Sequence, residues 1–178
     1  TANTLSGASI TTGATGSLVL GSDLTLANNF SSTSVSTTPR RVLISGTGSA
    51  TFSTANGTLD LGGAARNIAV TTTVVGANAA NANALIETAI VNGGINKSGP
   101  QTLYLTNPAS TFAGGLNLAE GIVDVSTGGA AGTGTITFNN TAASALRLSA
   151  DDMTLANPVV ISAGGAAEAK IIFSGGSV

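Results

Sequence analysis

The sequence contains no cysteine and no histidine. Disulfides, thiolate nucleophiles and Cys-ligated metals are therefore excluded, and so is the side chain that most often acts as general base, zinc ligand or pH switch. Tryptophan is also absent, and aromatic residues make up only 3% of the 178 positions, which leaves few rings to stack on sugars. These absences argue against an enzyme, and we predict no catalytic residue, no metal site and no cofactor.

Charge is scarce as well, since only 8% of the residues are Asp, Glu, Lys or Arg, about a third of the fraction typical of soluble domains. The six basic residues are scattered and the net charge is -2, so the chain lacks the basic footprint of a nucleic-acid-binding protein. No apolar run approaches the ~18 residues of a membrane span. The hydrophobic fraction of 42% nevertheless predicts a packed core beneath a neutral surface of Thr, Ser, Asn and Gly.

Apolar and polar residues alternate in short segments along the chain, which indicates strands with one buried face. Gly-Gly and Asn-Gly pairs between the segments predict tight corners. The Ala- and Asn-rich stretch 78–91 fits a short helix or a strand, and we favour a strand because no helix cap precedes it. The clearest strands are predicted at 18–20, 59–61, 103–105, 123–125 and 146–148, and further ones at 24–26, 42–44, 68–70, 116–118, 136–138, 153–155 and 171–173.

Two segments near the ends of the sequence are similar to each other and form an internal repeat. Residues 22–46 align without a gap with residues 151–175, at a constant offset of 129. Chance similarity between two simple sequences is the alternative interpretation. A super-repeat predicts one continuous domain over residues 1–178, which holds one copy and the start of the next.

A second motif lies in the middle of the chain, where residues 93–105 read GGINKSGPQTLYL, residues 111–118 read TFAGGLNL and residues 121–125 read GIVDV. This order of Gly-Gly, Lys, Thr-Leu-x-Leu, aromatic and Gly-Gly positions resembles the autotransporter-associated β-strand repeat. The resemblance covers 93–125 and departs from the family pattern at 100–101, Phe112 and Ile122. It implies a passenger-type, right-handed parallel β-helix exported across the outer membrane of a Gram-negative bacterium.

Parallel strands stacked along a helix axis let each backbone group pair with the rung above or below, at a spacing of ~4.8 Å. If a rung takes roughly 20 to 25 residues, the chain forms about seven to nine rungs. The fold class that we predict is therefore all-β, a right-handed parallel β-helix or β-solenoid. Neither end of the sequence carries an evident cap, so we expect further repeats or another subunit to stack there.

The charged residues offer few partners for chemistry. The oppositely charged pairs that could serve an enzymatic site are Asp60 with Arg66 and Asp124 with Lys97. We expect each of these residues to be solvated on an outward position instead. Asp151 and Asp152 are adjacent, so on a strand they would point to opposite faces, and we expect a turn. Calcium binding by these two residues and Glu168 is the alternative.

The sequence thus predicts a structural extracellular or cell-surface rod, a stalk or a self-assembling filament subunit, with an adhesive or protective role. Its expected partners are further repeats, a second copy or a host or glycan surface, without nucleic acid. The alternative is a passenger scaffold of a glycan-binding or glycan-cleaving protein whose active residues lie elsewhere. Scarce charge and the missing histidine and cysteine favour the rod.

Overall fold

The structure, a computed structural model, describes side chains at 58–70, 84–139, 142–162 and 167–175, and only the backbone at 3–5, 17–19, 24–28, 40–42 and 71–72. Almost all regular structure in this part of the chain is β, as predicted. A short 3-10 helix spans Gly128–Ala131. The strands are β1 (Asn3–Leu5), β2 (Ser17–Val19), β3 (Leu24–Asn28), β4 (Arg40–Val42), β5 (Thr58–Thr72), β6 (Ala84–Ile86), β7 (Ala89–Ser98), β8 (Thr102–Leu105), β9 (Leu116–Leu118), β10 (Gly121–Val125), β11 (Ile136–Phe138), β12 (Ser144–Leu148), β13 (Val159–Ile161) and β14 (Ala169–Phe173).

The strands form two parallel sheets. Sheet A has the order β1-β3-β5-β7-β9-β11-β13, with β2 also paired to β5, and sheet B has the order β14-β12-β10-β8-β6-β4. From β6 to β13 successive strands alternate between the sheets, and each stacks on the strand two places earlier. The chain therefore coils as a β-solenoid of about four turns in this region, which confirms the predicted parallel coil.

The length of a turn follows from the register of sheet B. Leu103, Val123, Leu146 and Ile171 are successive partners, so the turns between them have the length expected for a solenoid repeat. Between β3 and β5 the partners lie further apart in the sequence, since Leu24 pairs with Ile68. The predicted turn length thus holds for the second half of the solenoid and not for the pairing of β3 with β5.

The core lies between the two sheets and is built from alternate residues of each strand. Strands β6, β9 and β11 show the same burial pattern, in which two buried residues flank a half-buried one. Because the register is maintained, the buried residues form rows that run from turn to turn, and each buried aliphatic side chain contributes roughly 1.5 to 3 kcal/mol. The apolar residues at both ends of the predicted strands 103–105, 116–118 and 123–125 are all buried, as the predicted single buried face requires: Leu103, Leu105, Leu116, Leu118, Val123 and Val125.

Glycine permits the close approach of successive turns at one corner. A Cβ atom on Gly114 would lie 2.8 Å from the carbonyl oxygen of Gly93, and one on Gly134 would lie 2.5 Å from the backbone nitrogen of Gly115. Any side chain at Gly114 or Gly134 would therefore push two turns apart. The glycine pair of the sequence motif at 114–115 is explained by this backbone-to-backbone contact.

Two sequence predictions about strands have different outcomes. The strand favoured within 78–91 is confirmed at 84–86 and 89–91, while 78–83 lies outside the described residues. The strand predicted at 153–155 is wrong, because the next strand of sheet A starts at Val159. The stretch before it crosses a corner instead, where Asn157 Nδ2 donates to the carbonyl oxygens of Gly132 and Gly134, at 3.1 and 2.7 Å.

The core rows predict the effect of truncating an inward side chain. Phe138 is fully buried, so Phe138→Ala should lower the free energy of unfolding by about 3 to 5 kcal/mol through lost burial and the cavity left behind. Thr137 on the same strand is half-buried, and Thr137→Ala should change it by less than about 1 kcal/mol. Urea unfolding measures both, and equal losses would contradict the assigned faces.

Candidate functional site

Two charged side chains are buried among the residues whose side chains the structure describes. These are Lys97 in β7 and Asp124 in β10, which belong to neighbouring turns of the solenoid. A buried charge is costly unless it is paired or hydrogen-bonded. The surroundings of these two residues therefore define the candidate sites.

Lys97 lies in register with Leu118 of β9, so its side chain occupies an inward row. The side chain is fully buried. Its Nζ donates to the carbonyl oxygens of Ser98, Gly99 and Glu120, at 3.0, 2.6 and 2.9 Å. An ammonium group has three hydrogens to donate, so these three contacts use all of them.

These four residues form a lysine clamp, consisting of Lys97, Ser98, Gly99 and Glu120, that joins two consecutive turns. The backbone N–H of Gly99 donates to Glu120 Oε2 at 3.1 Å, so the contact is made in both directions. Gly99 has a φ of 79°, a left-handed conformation that glycine adopts without strain. Since Gly99 follows β7 and Glu120 precedes β10, the clamp ties the corner of one turn to the corner of the next.

The environment of the clamp changes the acidity of the lysine. Burial lowers the pKa of Lys97 from 10.5 to about 8, and the negative charge of Glu120 opposes part of this lowering. The expectation that Lys97 is solvated is therefore wrong. The alternation of Ile95 and Lys97 on one strand face was the signal in the sequence, because Ile95 is a core residue of the same strand.

Asp124 belongs to a charged ladder, consisting of Tyr104, Asp124 and Arg147, which are register partners on β8, β10 and β12. Arg147 Nε forms a salt bridge with Asp124 Oδ2. Arg147 Nη2 donates to the Tyr104 hydroxyl at 3.2 Å, and its guanidinium carbon lies 5.5 Å from the ring centroid, within cation-π range. The arginine thus reaches back across two turns on the outside of sheet B.

The ladder leaves Asp124 only 3% exposed. Its second oxygen, Oδ1, accepts a hydrogen bond from Ser149 Oγ at 2.6 Å. Although burial acts to lower the pKa of Arg147, its hydrogen bond to Asp124 and the charge of that carboxylate raise the pKa above its ordinary value. Asp124 was expected to be solvated, and this is wrong because the side chain is nearly buried and pairs directly with Arg147, one turn later, rather than with Lys97.

The other sequence-predicted pair does not form a joint site. Asp60 Oδ1 accepts hydrogen bonds from the backbone N–H of Gly62 at 2.7 Å and from Asn92 Nδ2 at 2.9 Å. Arg66 Nε donates to the carbonyl oxygen of Leu61 at 2.7 Å. Asp60 and Arg66 both remain partly exposed, and their contacts support the local bend and the neighbouring strand.

Asp151 and Asp152 form the turn predicted from the sequence. Both side chains are exposed, and Asp152 has a φ of 52°, a left-handed conformation often found in turns. Glu168, the third residue considered for calcium, instead forms an exposed salt bridge of 2.9 Å with Lys170. Among the residues that the structure describes, no group of three or more acidic, His or Cys side chains is arranged to hold a metal ion.

A small groove of sheet A is lined by residues of β9, of β11 and of the corners that precede them. Its lining includes Asn117, whose Nδ2 donates to Asn96 Oδ1 of the neighbouring strand at 2.9 Å, and we call these two residues the asparagine ladder. The volume of the groove is about 160 Å³, which is below the roughly 300 to 1,000 Å³ of typical ligand pockets. The lining carries neither charge nor aromatic rings: Ala113, Gly114, Gly115, Leu116, Asn117, Thr135 and Thr137. Such a surface can donate and accept hydrogen bonds, while proton transfer requires an ionisable group that this lining does not supply.

Comparison of the chain with protein-family models, with curated proteins and with solved structures finds no match. The resemblance of residues 93–125 to the autotransporter-associated repeat therefore stays a prediction. Within the described residues, no helix has the length and apolar character needed to cross a membrane. The lysine clamp and the charged ladder both join one turn to another.

The lysine clamp predicts that stability rises with pH in the alkaline range. The folded protein holds the Lys97 proton less tightly than the unfolded chain does, so unfolding takes up a proton between about pH 8 and pH 10.5. The free energy of unfolding should increase by about 3 kcal/mol across this range from Lys97 alone. Urea unfolding of the wild type and Lys97→Met at pH 7.5 and pH 10.5 isolates the effect, and an equal pH dependence of the two proteins would contradict it.

The charged ladder predicts a cost for removing its carboxylate charge. Asp124→Asn should lower the free energy of unfolding by about 1 to 3 kcal/mol, because a nearly buried, charge-assisted hydrogen bond is lost. Glu168→Gln is the matched control, since it weakens the exposed pair with Lys170 and should cost less than about 1 kcal/mol. Chemical denaturation compares the two variants, and a larger loss for Glu168→Gln would refute the ranking.

Proposed function

We propose that this chain is a segment of a structural extracellular β-helix rod, a surface stalk or filament subunit with an adhesive or protective role. In this proposal the coil is right-handed, as parallel crossovers generally are, and runs through seven to nine rungs over residues 1–178. The observation that carries it is the unbroken stack of inward rows, of which Leu103, Val123, Leu146 and Ile171 form one. Such a stack can be lengthened without changing its cross-section.

The use of charge supports a mechanical role. Lys97 is held by backbone carbonyl oxygens, and Asp124 is held by Arg147, so in both sites the charge joins one turn to another. A catalytic pair would need an ionisable group that faces a substrate within hydrogen-bonding distance. In the clamp and the ladder the polar atoms face the protein itself.

The resemblance to the autotransporter-associated repeat supports a place outside a Gram-negative cell, reached by export across the outer membrane. Two positions of that motif have a clear physical role in the fold: Lys97 forms the clamp, and Gly114 lies against Gly93 of the preceding turn. The absence of cysteine suits an oxidising exterior, because no thiol is present to react.

The alternative is a passenger scaffold for a glycan-binding or glycan-cleaving protein whose active residues lie outside this segment. The observation that favours it is the polar groove on sheet A beside the asparagine ladder. The small volume and the lack of aromatic rings weigh against it, since sugar-binding sites commonly stack aromatic rings on the sugar.

Surface labelling and glycan assays together test the proposal. Antibodies against this chain should label intact cells of the source bacterium, the label should be lost after brief protease treatment of whole cells, and electron microscopy should show thin projections. The purified chain should neither bind nor cleave a panel of acidic and neutral polysaccharides. Labelling seen only after lysis would overturn the extracellular rod, and saturable binding or turnover would support the glycan scaffold instead.

A further inference from the structure

Asn92 lies where strand β7 passes a bulge of the neighbouring strand β5. The register between the two strands shifts at this point, because Val91 pairs with Asp60 and Gly93 pairs with Ala64. Asn92 therefore has no register partner on β5. Its side chain is exposed, and its φ of 54° is left-handed. Asn92 is thus a position of β7 that the strand pairing with β5 leaves unsupported.

The fold requires glycine at the next position, 93. A Cβ atom there would collide with the carbonyl oxygen of Ala64 and lie 2.6 Å from the Cβ atom of Leu61. The φ of Gly93 is 149°, which residues with a side chain rarely adopt. The packing of β7 against β5 therefore places an asparagine–glycine pair on an exposed part of the strand.

An asparagine followed by glycine is chemically labile. Glycine has no side chain to hinder attack by its own backbone nitrogen on the preceding side-chain amide. The nitrogen of Gly93 loses its proton and forms a bond to Asn92 Cγ, and the amide nitrogen leaves as ammonia, which gives a succinimide ring. Water then opens the ring at either carbonyl, to aspartate or to isoaspartate. The net change is the addition of water and the loss of ammonia.

We propose that Asn92 is a site of spontaneous deamidation, and that the carboxylate formed there turns the contact with Asp60 from an attraction into a repulsion. In the unmodified chain Asn92 Nδ2 donates to Asp60 Oδ1 at 2.9 Å, between neighbouring strands. After the reaction an oxygen takes the place of this donor, and two carboxylates face each other. In the isoaspartate product the main chain also becomes longer by a methylene group.

Two other asparagines of sheet A lack this combination of features. Asn96 and Asn117 are half-buried, pair in register and share a hydrogen bond of 2.9 Å. Each is followed by a large side chain, that of Lys97 or Leu118, which hinders the approach to the amide. Breaking the exposed hydrogen bond of Asn92 costs little, because water replaces the partner. Deamidation is therefore expected at Asn92 and is disfavoured at the other two.

Peptide mass mapping of the purified chain tests the reaction during storage at 37 °C, at pH 6 and at pH 8.5. Asn92 should gain about one dalton at least about tenfold faster than Asn117 does. The gain should be faster at pH 8.5, because the attacking nitrogen must lose its proton. Asn92→Gln should abolish the gain at this position, since the longer side chain would have to close a less favourable ring.

Fragmentation of the peptides localises the gain. It separates Asn92 from Asn56, which precedes Gly57 in the other asparagine–glycine pair of the sequence, outside the described residues. Equal rates at Asn92 and Asn117, or a gain confined to Asn56, would overturn the proposal.

The variant Asn92→Asp tests the repulsion without the reaction, because aspartate also tolerates a left-handed conformation. It should lower the melting temperature by roughly 2 to 4 °C. Adding Asp60→Asn should recover most of this loss, since the amide at position 60 can donate to the carboxylate at position 92. Thr133→Asp is the control: it adds the same charge on an exposed position of another turn and should shift the melting temperature by less than about 1 °C.

An Asn92→Asp variant that melts at the wild-type temperature would contradict the repulsive contact, as would a double variant that recovers nothing. The reaction uses no feature of the proposed rod, so surface labelling of cells is unaffected by either result.

Discussion

In-register parallel stacking is the constraint on which the rest of this structure depends. In such a stack each residue has the equivalent position of the neighbouring turn above it and below it, at roughly 4.8 Å. Tyr104, Asp124 and Arg147 show the consequence, since each is a direct partner of the next. Asp124 thus meets the opposite charge of Arg147 in the next turn, whereas equal charges at these two positions would repel.

The two buried charges satisfy this constraint in different ways. Lys97 enters an inward row, where no carboxylate side chain is its direct register partner, and it satisfies its three hydrogens with backbone carbonyl oxygens at the corners of two turns. Asp124 lies on an outward row and is satisfied by side chains, namely those of Arg147 and Ser149. The lysine clamp depends on backbone geometry and on Gly99. The pairing of Asp124 depends instead on Arg147, which occupies the register position one turn later.

The sequence was sufficient to predict what depends on local alternation. The inward positions of Leu103 and Leu105 follow from a period of two and are buried, and the turn at Asp151 and Asp152 follows from adjacent acidic residues. The strand predicted at 153–155 shows the limit, because Met153 and Leu155 alternate correctly but their backbone crosses a corner and both side chains pack only partly against the core. Glu120 as a partner of Lys97, and Arg147 as the partner of Asp124, were missed for a related reason. Each lies one full turn further along the chain and can be located only once the length of each turn is known.

The same stacking makes each turn of the solenoid depend on its neighbours. A turn in the middle of a solenoid has two neighbours and a terminal turn has one, so most of the stabilisation of any turn comes from contacts outside it. Leu146 illustrates an interior position, fully buried between Val123 and Ile171, whereas Ile171 itself is 44% exposed. In the clamp and the ladder, this chain uses its buried charges to attach turn to turn.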